Sequence, residues 1–143
     1  MQVAAPAFAD HRLGNAVVIG GTLSLTGRYA VPTKRYINVR KLYVEELNAR
    51  GGLLGHKVEL KILGDEFHRQ TAIQLYEKLI TEDKIGLFLW PYASALSDAV
   101  ANVMERYKRP FVAHATAPVI WERGRKCVFG QGGSAKHRGS LGD

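Results

Sequence analysis

Residues 85–113 constrain the fold more than any other stretch of this chain. Ile85 to Trp90 is a short, nearly uninterrupted apolar run of the kind found in a strand buried on both faces. Pro91 and Tyr92 stop it. From Ser94 onward, Leu96, Val100, Val103, Met104 and Tyr107 recur every three or four residues and mark one face of a helix. That helix ends by Arg109, because Pro110 pushes the residue before it out of helical backbone. Phe111 to Ala113 reads as a second short strand. Strand, helix and strand within about 30 residues make a parallel unit with a right-handed crossover. Such units bind ligands at the carboxyl ends of their strands, beside the helix amino terminus. Here that edge carries Tyr92, Ser94, His114 and Thr116.

The same alternation runs upstream. Val17 to Leu23 is a β-branched apolar run and therefore a buried strand, followed by a loop over Ser24 to Ala30. A helix follows, with Thr33 as its expected cap and Tyr36, Ile37, Arg40, Tyr43, Val44 and Leu47 along one face. Gly51-Gly52 ends it by supplying left-handed backbone. Lys57 to Leu63 alternates charged and apolar residues, as a strand nearer a sheet edge does. Gly64-Asp65-Glu66 makes a strand-end loop, with Asp65 and Glu66 expected in solvent. Residues 70–83 return to the helical period through Ala72, Ile73, Tyr76, Leu79 and Ile80. This order predicts an α/β fold: a three-layer open parallel sheet of at least four strands with helices on both faces, of flavodoxin-like topology.

With 143 residues and 46% hydrophobic content the chain can bury one real core. No apolar run is long enough to span a bilayer. The net charge is +7, yet the basic residues at 34–50 and 105–126 are diluted by Glu45, Glu46, Glu105 and Glu122. They are not interleaved with aromatics as on a stacking surface, so no nucleic-acid partner is expected. Cys127 stands alone, is expected as a small buried hydrophobe, and has no redox partner. His11, His56, His68, His114 and His137 are too scattered to assemble a metal site. Gly20, Gly21 and Gly27 do not make a dinucleotide or phosphate loop, and no serine lies in a nucleophile elbow. The sequence therefore points to a protein with no catalytic residues, metal or cofactor. Architecture alone leaves open a flavodoxin-like regulatory or interaction domain.

Asn48 to Leu60, NARGGLLGHKVEL, resembles a signature of periplasmic substrate-binding proteins of ABC importers, within them the branched-chain amino-acid (Leu/Ile/Val) binding family. Leu25-Thr26-Gly27-Arg28-Tyr29-Ala30 is similar to the loop after that family's first strand. Glu77 to Ile80, Pro91 to Ser94, Thr116 to Pro118 and Glu122 to Gly124 also fall in its order and spacing. The resemblance implies a type I periplasmic binding lobe that receives an amino acid or similar small molecule (branched-chain amino acid or amide class), with an ABC permease as partner in the complete protein. It also implies which residues bind. Ser94 corresponds to a serine at the start of the helix after the third strand, and His114 and Thr116 to a backbone carbonyl and a hydroxyl after the fourth. Tyr92, Ala93 and Ala115 flank them. A helix amino terminus attracts a carboxylate, while the His114 carbonyl and the Thr116 hydroxyl can accept from an ammonium group. The chain departs from the family in having Pro32-Thr33 where a tyrosine-glycine pair is usual.

Three segments are expected: a leader or signal-peptide remnant over 1–14, a partial amino-terminal lobe over 15–130, and a disordered tail over 131–143. Ala7-Phe8-Ala9 matches the small-x-small end of a secretory signal, without the regions that precede it. The family implies a periplasmic location. The family's second lobe is not encoded within these residues, so the chain is expected to be inactive alone.

Overall fold

The central strand of the sheet is the β-branched run. The computed structural model describes residues 12–13, 16–114 and 117–130. β1 is Arg12–Leu13 and β2 is Ala16–Leu23. β2 pairs in parallel along its full length with β3, Lys57–Gly64, from Ala16 opposite Lys57 to Leu23 opposite Gly64. On its other side it meets β1, antiparallel, and β4, Leu87–Phe88, parallel. A second small sheet pairs β5, Phe111–Ala113, in parallel with β6, Val128–Gly130. The helices are α1, Ala30–Ala49, α2, Arg69–Thr81, and α3, Ser94–Arg106.

Side-chain alternation along β2 sorts these helices into layers. Gly20 faces α2, since a Cβ there would lie 3.3 Å from Leu79 and 3.2 Å from Ile85. Ile19 and its register partner Leu60 face α1 instead. The main core lies on the α2–α3 side and contains Val18, Tyr76, Leu79, Phe88, Val100 and Met104. The expected three-layer α/β architecture with parallel pairing is the observed one.

Asn48 explains why its motif has the form it does. Its side-chain amide accepts from the Val58 N–H at 2.7 Å and donates to the Val58 carbonyl at 2.9 Å. Both backbone polar groups of Val58, on the open edge of β3, are satisfied, and the end of α1 is pinned to that strand. Between them Gly52 has φ +76, and any Cβ would fall 1.9 Å from the His56 carbonyl oxygen. Only glycine closes this turn.

The structure corrects several sequence expectations. Arg12–Leu13, assigned to the leader, adds an antiparallel strand to β2. Thr33 is not a cap: α1 begins at Ala30, and the fully buried Thr33 hydroxyl donates to the Ser24 carbonyl at 2.5 Å. The apolar run at 85–90 is regular strand only over Leu87–Phe88. Its start is turned back toward α2, with the Ile85 N–H bonded to the Leu79 carbonyl at 2.9 Å and Lys84 at φ +53. β5 joins β6 rather than extending the main ladder, and β6 has no periodicity to announce it. Cys127 is half-buried, and its N–H bonds the Glu105 carboxylate at 2.9 Å.

The Asp65-Glu66 pair divides. Glu66 is exposed, but Asp65 is fully buried. Its carboxylate accepts from Thr22 and Ser24 hydroxyls, both at 2.7 Å, and from the Phe67 N–H at 2.9 Å. A buried carboxylate is tolerated when its lone pairs are filled this way.

Three outcomes follow from this architecture. Asp65→Ala strands two buried hydroxyls and an N–H, and should cost about 3–5 kcal/mol in urea unfolding, whereas Glu66→Ala should stay within about 0.5 kcal/mol. Ala93, the residue before α3, has φ +75 and ψ 149, a region that is essentially glycine-only. Ala93→Gly should relieve that strain, and after the entropy glycine adds to the unfolded chain a net gain of about 1 kcal/mol is expected in thermal melts. Glu105 accepts N–H bonds from Cys127 and Lys126, which hold its carboxyl below the ordinary value of 4.5. Its contribution is complete above pH 4.5 and is lost as pH falls through the lower folded value. Glu105→Gln should therefore flatten the acid limb of a stability-against-pH curve while leaving its neutral slope unchanged.

Candidate functional site

The carboxyl ends of β2 and β4, the start of α1 and the start of α3 converge on one cavity of about 360 Å³. Tyr92, Ala93, Ser94 and His114 line it together, with Tyr29, Tyr36, Trp90 and Pro91. Four of the six residues anticipated from sequence are thus brought to one place. Ala115 and Thr116 lie outside the described residues.

Each element has a local reason for its position. After β4, the Leu89 N–H still reaches the Gly20 carbonyl at 2.8 Å, so the chain continues along β2. The Leu89 carbonyl accepts from the Tyr76 hydroxyl, and the Trp90 carbonyl from the Arg40 guanidinium at 2.9 Å. Pro91 and the strained Ala93 then reverse the chain so that Ser94 opens α3. Ser94 is the first residue of α3, one past the N-cap position that Ala93 holds. It lines the cavity, so the first N–H groups of a 13-residue helix lie at that end of the molecule.

The walls are aromatic. Tyr92 lies 5.6 Å from Tyr29 and 5.4 Å edge-on from Tyr36, ring centroid to centroid. Trp90 lies 5.7 Å from the His114 ring. Arg40 stacks over the other ring system of this wall, 5.1 Å from the Trp90 centroid, and its burial lowers its pKa from the ordinary value. Tyr29, Tyr36 and Trp90 were not anticipated as site residues. Trp90 could have been, because it closes the apolar run at the carboxyl end of β4, and Tyr29 because it lies in the loop that follows β2. Tyr36 lies on the face of α1 that reads as packing, and it also lines the cavity.

A larger groove of about 610 Å³ runs between α1 and the sheet, lined by Ile19, Val39, Tyr43, Leu47, Leu60 and Leu89 among others. It is almost wholly apolar. Arg40, which also lines it, turns its guanidinium to the Trp90 carbonyl and ring. Convergent polar groups, rather than volume, mark a ligand site, and those belong to the smaller cavity. No group of three or more metal-ligating side chains occurs among the described residues, and none of their helices is long and apolar enough to cross a membrane.

The family described as "Periplasmic binding protein" matches residues 16–136. Leu/Ile/Val-binding protein homolog 7 of Brucella melitensis is 31% identical over 127 residues, 88% of this chain and 30% of that protein. The crystal structure of LivJ from Streptococcus pneumoniae in complex with isoleucine superposes with a TM-score of 0.76 at 21% identity, over 83% of this chain and 34% of that one. A solute-binding protein of an ABC transporter from Rhodopseudomonas palustris, in complex with 3,4-dihydroxy benzoic acid, gives 0.73 at 21% identity, over 85% and 33%. This chain thus spans about a third of the length of the relatives it matches. The fold, the Asn48–Gly52 closure and the family match agree: the chain belongs to the periplasmic binding protein family.

Proposed function

We propose that this chain forms one wall of the ligand cleft in the solute receptor of an ABC importer, and that it holds the carboxylate end of an amino acid or related small acid. The observation that carries this reading is Ser94: it is the first residue of α3 and lines the cavity at the strand ends. A helix amino terminus offers unpaired N–H groups and the positive end of a dipole, and the serine adds a hydroxyl donor. The His114 backbone carbonyl and Thr116 accept from an ammonium group where the ligand has one, with Ala115 between them. The ligands named for the S. pneumoniae and R. palustris neighbours, isoleucine and 3,4-dihydroxy benzoic acid, share a carboxylate, which is consistent with a carboxylate-bearing ligand.

The reading includes an extracytoplasmic location, an ABC permease as partner, and no catalysis. The flavodoxin-like regulatory alternative is not favoured, since the family match covers both the strand ends and the Asn48 motif.

One wall alone binds weakly. A micromolar receptor has about −8 kcal/mol, and half of its contacts leave about −4 kcal/mol, a millimolar constant. Leucine, isoleucine, valine and phenylalanine at micromolar concentration are therefore expected to leave the melting temperature of this chain unchanged. At millimolar concentration they should shift the Ser94 amide in an NMR titration, and Ser94→Ala should weaken that binding by about 1–3 kcal/mol. An unaltered titration in a folded Ser94→Ala protein would return Ser94 to a purely structural role.

A further inference from the structure

The rings around the cavity specify the body of the ligand, and this step rests on the reading that its carboxylate docks at Ser94. Five of the eight lining residues carry aromatic rings: Tyr29, Tyr36, Trp90, Tyr92 and His114. The other three are Pro91, Ala93 and Ser94, so no lining residue bears a carboxylate. Two cations back the wall, Arg28 at 5.0 Å from the Tyr29 centroid and Arg40 at 5.1 Å from that of Trp90. An aromatic enclosure can select either a cation or another aromatic ring. Here the two arginines already use ring faces, and the amino terminus of α3 adds positive potential at the same end. A cationic ligand is disfavoured on both counts.

We infer that the cavity takes a planar aromatic carboxylate, a class that includes aryl acids and aromatic amino acids, in preference to an aliphatic acid of the same shape. The size allows it, since a cavity of about 150 Å³ holds benzene, and this one offers about 360 Å³. The spacing allows it too. Tyr92 meets Tyr36 at 75° and Tyr29 at 47°, so the rings of the wall are inclined to one another rather than stacked flat. Edge-to-face and offset contacts are open only to a ligand ring with a quadrupole of its own.

The test is an NMR titration of this chain followed at the Ser94 and Tyr92 amides. The probes are benzoate, cyclohexanecarboxylate and benzyltrimethylammonium. Benzoate should bind about two- to tenfold more tightly than cyclohexanecarboxylate, the increment of an aromatic pair beyond its buried area. Tyr92→Leu should bring that ratio close to one, and where this variant fails to fold by circular dichroism, Tyr36→Leu serves the same purpose. Equal or tighter binding of cyclohexanecarboxylate at the Ser94 amide would overturn the aromatic preference while leaving the carboxylate site intact. Tighter binding of benzyltrimethylammonium would overturn it as well, in favour of a cation cage. Failure of both carboxylates to move the Ser94 amide would remove the docking site and this inference together.

Discussion

The Asp65 carboxylate is the point on which the functional edge of this molecule depends. It is fully buried and is satisfied by three uncharged donors, the hydroxyls of Thr22 and Ser24 and the N–H of Phe67. Those donors come from the carboxyl ends of β2 and β3, so one side chain clamps two strands where they leave the sheet. Ser24 passes the constraint on, because its carbonyl accepts from Thr33 at the start of α1. Hydrogen bonds in a buried setting are electrostatically stronger than in water and cannot be exchanged for it. The loop carrying Tyr29 is therefore anchored at both ends, on rigid elements of the kind a precise binding site needs.

The opposite wall is held differently. β4 is only Leu87–Phe88, too short for its ladder alone to fix the residues that follow. Side chains from the two helical layers take over. Tyr76 of α2 donates to the Leu89 carbonyl, and its burial raises its pKa above the ordinary 10.0, so it remains a neutral donor. Arg40 of α1 donates to the Trp90 carbonyl from the other face of the sheet. Gly21 makes room for this path, since a Cβ there would sit 2.9 Å from the Leu89 oxygen. The backbone is thus delivered to Pro91 without freedom, and the remaining misfit falls on Ala93 at φ +75. Strain of this kind persists only where the surroundings over-determine a residue, and here they do so at the mouth of the cavity.

Much of this was legible in the sequence, for a definable reason. The strands β2 and β3, the start of α3 and the closure at Gly51-Gly52 rest on local signals: apolar periodicity, a proline and left-handed backbone at φ +99 and +76. Asp65 was misassigned to solvent because its donors lie 41 and 43 residues away in sequence, and no local pattern distinguishes a buried acidic residue from an exposed one. β6 was missed for a similar reason. Its position is set by the Glu105 carboxylate gripping the N–H groups of Lys126 and Cys127, and by Arg125 bonding Asp98 at 2.8 Å. These are tertiary contacts made by residues whose one-dimensional pattern reads as loop. Thr33 was given the right role in satisfying backbone but the wrong target, a loop carbonyl in place of a helix N–H.

The site divides along the same line. The place of Ser94 was legible because strand–helix periodicity locates the start of α3, where it lines the cavity. The residues that face the rest of a ligand carry no such signature. Tyr36 belongs to a helix face that looks like core, and Trp90 closes an apolar run that looks like strand, yet both turn toward one cavity. Their convergence is tertiary: Arg40 of α1 holds the Trp90 carbonyl and ring, which brings that helix and the residues after β4 together. The aromatic lining of the cavity thus comes from positions that sequence periodicity assigns to packing. Residues of that kind can change without disturbing the Asp65 clamp or the Asn48 closure, so specificity can vary while the fold that positions it stays the same.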